Sequence, residues 1–197
     1  MALVVRFITA QSGGGQGSWQ GGRIKMRGRG DGIVTQAAFV DHLAAYCSPK
    51  KARPDMRYVP VLFPFVKTAD LVGLARLLVV YFVGVKAAKP KFWESDETLA
   101  SSLFGKTNGV VVLFNILHDL ICIAGGTSKL TIEFVSKKWE LVGDDVVANP
   151  PRGGSKGYQK EVASKVLLQM FGSNAETTVS SSVAAICDQL RSEGGLI

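Results

Sequence analysis

The chain has 197 residues, 47% of them hydrophobic and 9% aromatic, and a formal net charge of +7. That length suits one sizeable core, and that composition excludes a disordered tail. Three cysteines, odd in number and far apart (Cys47, Cys122, Cys187), exclude a small disulfide scaffold and point to buried reduced thiols in a cytoplasmic protein.

In chain order, Leu3–Thr9 carries the β-formers Val4, Val5, Phe7 and Ile8 and reads as a strand. Gln11–Gly22 is a Gly/Ser/Gln loop around Trp19, and Arg23–Met26 is a second short extended segment. Thr35 or Asp31 can cap a helix over roughly 36–47. Ser48–Pro60 is a basic connection with three prolines, and Val61–Val66, broken by Pro64, reads as extended.

The strongest helical pattern follows. From a Thr68 cap, Leu71, Leu74, Leu77, Leu78, Tyr81, Phe82 and Val85 recur at three and four residues up to about Ala88, where Pro90 stops the helix. Phe92 and Trp93 should plug the core after that turn. Thr107 or Asn108 caps a second apolar helix to about Ala124, with Gly125 and Gly126 as stop signals. From Ser128 a strand is possible, but Glu133, Lys137 and Lys138 fit the face of a third helix better; 149–157 is a loop, and 156–171 and 178–192 are two further amphipathic helices. Arg76 interrupts the first apolar run, and Asn115, His118 and Asp119 interrupt the second, so both read as core helices and no membrane segment is expected. Met1–Ala10 lacks the basic start and long apolar stretch of a signal peptide.

The expected fold is α+β and mainly α-helical. A small N-terminal β element packs with about six helices around one core. The whole chain, 1–197, forms a single domain, with a basic β/loop/helix region at 1–60 and a helical region at 61–197.

Charge is uneven along the chain. Residues 1–60 hold nine Lys or Arg against three Asp, so an anion should dock there. Arg23, Lys25, Arg27 and Arg29 recur at every second position, which in an extended segment places four cations on one face. Such a row, ending at a helix start, suits phosphate attraction and counterion release. An edge strand that uses cations to block aggregation has the same pattern. Lys50, Lys51 and Arg53 add to the basic surface. Arg152-Gly-Gly-Ser-Lys156-Gly, just before a helix, can hold a phosphate on backbone amides or be an ordinary flexible loop. Trp19 can stack on a base or anchor its glycine loop.

Signs of catalysis are sparse. His42 adjoins Asp41 and His118 adjoins Asp119, and adjacent helix positions do not face each other, so neither pair is a ready dyad. His42 reads as a surface residue and His118 as a hydrogen-bonded core residue. No Cys/His set has zinc spacing, no nucleophile elbow or P-loop ending is present, and Asp144-Asp145 reads as a solvated helix-ending turn. No catalytic residue, metal or cofactor is expected.

Several segments, taken in order, resemble the C-terminal half of DGQHR-domain proteins, bacterial proteins associated with DNA modification and defence that include the DndB branch. They are Arg6-Phe-Ile-Thr9, Gly22-Arg-Ile-Lys-Met26, Ile33-Val-Thr-Gln-Ala-Ala-Phe-Val40, Val79-Val-Tyr-Phe82 with Lys89-Pro-Lys-Phe-Trp93, Lys106-Thr-Asn-Gly-Val110, and Gly153-Gly-Ser-Lys-Gly157. The naming motif itself is absent, since Asp31-Gly32-Ile33 shares only two letters with it. The family's nuclease-like N-terminal half would precede residue 1, so its chemistry does not carry over. The resemblance implies a non-enzymatic DNA-associated accessory or regulatory protein of a modification or defence system, with DNA favoured over RNA. The alternative is an interaction module or split-gene fragment that docks on a partner carrying the missing half, because a half-domain would expose its apolar helices.

Overall fold

The structure, a computed structural model, describes residues 24–25, 34–48, 59–148 and 156–192. The helices are α1 (Gln36–Tyr46), α2 (Phe63–Lys67), α3 (Leu71–Ala88), α4 (Asp96–Ser101), α5 (Thr107–Ala124), α6 (Ile132–Glu140), α7 (Asp144–Ala148), α8 (Lys156–Phe171) and α9 (Ala175–Ser192).

The fold is all-α, which corrects the α+β expectation. β structure among the described residues amounts to one parallel pairing of β1 (Ile24–Lys25) with β2 (Val34–Thr35), two residues each. A pairing that short has no face to bury and cannot form a layer, since a stable sheet needs three or more strands or a packed face. The expected strand at Leu3–Thr9 lies outside the described residues.

Local chemistry sets the helix boundaries. The Asp70 carboxylate, not Thr68, caps α3 by accepting the Gly73 N–H at 2.8 Å. Val61–Val66 is not extended: α2 begins there with Pro64 in its first turn, where the fixed φ and missing N–H are tolerated. Helix α5 starts one to two residues early, at Thr107, with Lys106 at the cap position and no side-chain cap bond. It ends on Gly125, whose left-handed φ of 77° lets the Gly125 and Gly126 amides return to carbonyls of the last turn. Thr131, not Ser128, caps α6 through the Phe134 N–H. Asp144 and Asp145 begin a short helix instead of ending one. Helix α9 starts three residues ahead of its expected position.

Helix α5 is the centre of the molecule. It packs against α1, α8 and α9, and its side chains reach α3, which lies along α6. Phe39 of α1 meets Phe114 of α5 edge-on at 5.1 Å between ring centres, and Phe82 of α3 lies 6.3 Å from Phe114. Phe92 and Trp93 plug the core as expected, with Trp93 stacked on Phe104 at 5.1 Å and Phe104 edge-on to the buried Trp139. By length and composition α3 and α5 could each cross a bilayer, but here α5 buries 61% of its apolar window inside the chain. Arg76 points outward from α3.

Candidate nucleic-acid interface

Most of the basic positions expected to bind phosphate (Arg23, Arg27, Arg29, Lys50, Lys51, Arg53 and Arg152, with the stacking candidate Trp19) lie outside the described residues. Lys25 is placed by its backbone: it pairs in register with Thr35, the residue immediately before α1. Both strands touch α1. Ile24 and Lys25 are therefore tied to the start of α1, whose Phe39, Leu43 and Tyr46 are buried. Lys156 is the first residue of α8, as the glycine run before it implies.

The N-terminal turns of α5 and α8 meet, with the Gln159 side-chain amide donating to Asn108 Oδ1 at 3.3 Å. Neither helix has an acidic residue in its first turn. Two positive helix ends thus converge beside Lys106 and the Lys156 backbone, where an anion is electrostatically welcome.

Five cations of the helical body are paired with nearby carboxylates. Glu133 pairs with Lys137 and Glu161 with Lys165, each at 2.8 Å and one helical turn apart, and Arg191 reaches Asp188 at 3.3 Å. Asp144 bridges two lysines at the end of α3, Lys91 at 2.6 Å and the buried Lys89 at 3.2 Å, while Lys89 also donates to the Val142 carbonyl. These lysines hold the Asp144 carboxyl below its usual range, Lys91 more strongly than Lys89.

A buried polar seam runs along α5. His118 is 1% exposed, and its Nδ1 lies 2.8 Å from Asp119 Oδ1. Its Nε2 faces Cys122 Sγ at 4.0 Å. One turn back, the Asn115 side chain accepts the hydroxyl proton of Tyr46 from α1, and the Tyr46 ring lies 5.7 Å from that of His118. Burial pushes the imidazole toward its neutral form, but the Asp119 carboxylate and then Cys122 outweigh it, so the His118 pKa is raised to about 10. Nearby, the Tyr81 hydroxyl donates to the Leu113 carbonyl at 2.9 Å, and the buried phenol is held well above its usual pKa. The Trp139 indole N–H approaches the Tyr81 oxygen without reaching hydrogen-bond geometry.

The expectation for His118 therefore divides. It is a hydrogen-bonded core residue, but adjacency does not keep it from Asp119. The facing rule describes Cβ directions, whereas Nδ1 sits near the backbone, within reach of the next residue's carboxylate. His42 is partly exposed, and partial burial lowers its pKa. Cys47 and Cys122 are buried and free, and Cys187 is partly exposed. Burial pushes the Cys47 thiol up to about 12. Among the described residues no three His, Cys, Asp or Glu side chains converge where a metal ion would sit.

No protein-family model, curated protein or solved structure matches the chain. The seam was the feature that sequence reasoning missed. Its signal was the spacing of Asn115, His118, Asp119 and Cys122, polar residues at helical intervals on an otherwise apolar helix.

Proposed function

We propose that this chain binds nucleic acid phosphates through its basic N-terminal segment. The reading makes it a non-enzymatic DNA-associated accessory or regulatory protein of a bacterial modification or defence system, with the helical body as scaffold. The partition of charge carries the reading: residues 1–60 hold nine cations against three anions, whereas residues 61–197 hold fourteen against thirteen. Within the body, Glu133, Glu161, Asp188 and Asp144 neutralise lysines and an arginine at close range. The N-terminal cations have no such supply of carboxylates along the sequence. Surplus charge of that kind attracts polyanions at long range and exchanges condensed counterions on contact. The order of DGQHR-like segments supports DNA as the polyanion. Phosphate contacts would set position without reading sequence.

The partner-docking alternative was motivated by apolar helices that a half-domain would leave bare. In this fold α3 packs along α6 with 44% of its apolar window buried, whereas α5 packs against α1, α8 and α9, and that packing of α5 favours the nucleic-acid reading. Titration of a short fluorescent duplex with the intact chain over a salt series tests it. Affinity that falls steeply as salt rises is expected, and absence of binding at low salt by folded protein contradicts it.

A further inference from the structure

One face of α3 enters the core through Leu74, Leu77, Leu78, Tyr81, Phe82 and Val85. On a helix whose other side meets only water, that other side is polar. Here it is not. The helical repeat gathers Val72, Val79, Val80, Val83 and Ala87 on the outer side of α3 around one charge, Arg76. None of these six residues is buried, and Val72 is 44% exposed. The apolar surface continues before the helix, where Val66 of α2 is 39% exposed and Phe63 and Phe65 are partly exposed. From Val72 to Ala87 the face runs about 22 Å.

Charge narrows what covers this face. From Phe63 to Ala88 there is one acid, Asp70, and its carboxylate accepts the Gly73 N–H at the start of α3. The cations of the same stretch are Lys67, Arg76 and Lys86. A second copy fits poorly. Two such faces packed about a twofold axis would bring their central Arg76 side chains together, with no carboxylate on either face to separate them. The face is also the outer ridge of one helix, a shape that suits a flat surface more than an inserted peptide. An anionic lipid surface matches the charge, the apolarity and the shape. Valine and phenylalanine side chains enter the acyl boundary, and Arg76 reaches headgroup phosphates while its stem stays in apolar contact. The net charge of +7 adds attraction to such a surface.

We propose that the outer face of α3, together with Val66 of α2, docks on anionic lipid headgroups, with α3 lying along the surface. The helix does not cross the bilayer, because its inner face is the protein core. This docking does not rest on the nucleic-acid reading.

Co-sedimentation of the intact chain with vesicles of phosphatidylglycerol and phosphatidylcholine in equal parts tests it. The wild type should bind, and part of the binding should survive raised salt, since apolar contact is not screened. Val72→Glu is the sharpest variant. Its place in the first turn of α3 favours an anion through the helix dipole, so the melting temperature should be kept. Vesicle binding should fall about tenfold, the worth of one buried valine. Val83→Gln adds no charge, keeps the test open should Val72→Glu fail to fold, and should weaken binding severalfold. Folded wild type that leaves the vesicles in solution overturns the proposal. So does binding that raised salt abolishes and that both variants leave unchanged, which would assign it to the basic N-terminal segment alone. A dimer in size exclusion that Val72→Glu dissolves, without vesicle binding, would give the face to a second copy and overturn the lipid assignment. Duplex binding by Val72→Glu should equal that of the wild type, so failure of the lipid docking and failure of the nucleic-acid reading are read separately.

Discussion

Gly84 on α3 faces Val135 on α6 so closely that a Cβ on Gly84 would stand 2.7 Å from Val135 Cβ and 2.9 Å from the Ile132 carbonyl oxygen. No side chain fits there, and the absence of one lets the two helices lie backbone to backbone. Gly84→Ala should therefore destabilise the fold by about 1–3 kcal/mol through overpacking, despite the gain in helix propensity, which is about 1 kcal/mol. Urea unfolding measures it, and an unchanged or higher midpoint would show that α6 can shift away freely.

Phe39 is the main apolar anchor of α1, fully buried against Phe82 and Phe114. Phe39→Ala should cost about 3–5 kcal/mol. Loss of protection should be deepest in α1, as read by amide exchange residue by residue. A loss under 1 kcal/mol would mean that α1 contributes little to the core.

The buried imidazole makes stability fall in alkali. His118 has a folded-state pKa of about 10 and an unfolded value of about 6.5. Between those values the native state holds a proton that the unfolded chain has lost. The pair's contribution is complete below about pH 6.5 and is lost progressively as pH rises toward 10, at up to about 1.4 kcal/mol per unit. Unfolding free energies of the wild type and His118→Gln across this window measure it. Parallel profiles would contradict the assignment.

Lys89 is 7% exposed, and its ammonium is held by the Val142 carbonyl and Asp144. Lys89→Met should cost about 1–3 kcal/mol by leaving that carbonyl without its donor. Asp144→Asn should cost less, since its side chain is 46% exposed and solvent screens the pair. The two midpoints compared in urea check the ranking.

Periodicity made the long helices legible. Leu74, Leu77, Leu78, Tyr81, Phe82 and Val85 are the buried face of α3, as their spacing implies, and Gly125 and Gly126 stop α5. Caps were harder because several residues compete: Thr68 and Asp70 both suit the start of α3, and only backbone geometry selects Asp70. Pro64 reads as a helix breaker in isolation, yet position decides its effect, and in a first turn it is compatible with α2. The β expectation drew on β-forming residues at the N-terminus that lie outside the described residues, and among the described ones β structure shrinks to a two-residue pairing too short to form a layer. The Asp119 contact of His118 was not legible, because it depends on where a ring nitrogen lies and not on which face a residue occupies.

Replacing Arg23, Lys25, Arg27 and Arg29 together by Ala, and comparing duplex affinity with the wild type over a salt series, tests the nucleic-acid reading most directly. If the row meets four phosphates of a duplex, the slope of log affinity against log salt should shrink by about 3–4, and binding at low salt should weaken sharply while the melting temperature stays near that of the wild type. An unchanged slope in a well-folded variant would contradict the assignment of the row as the phosphate surface.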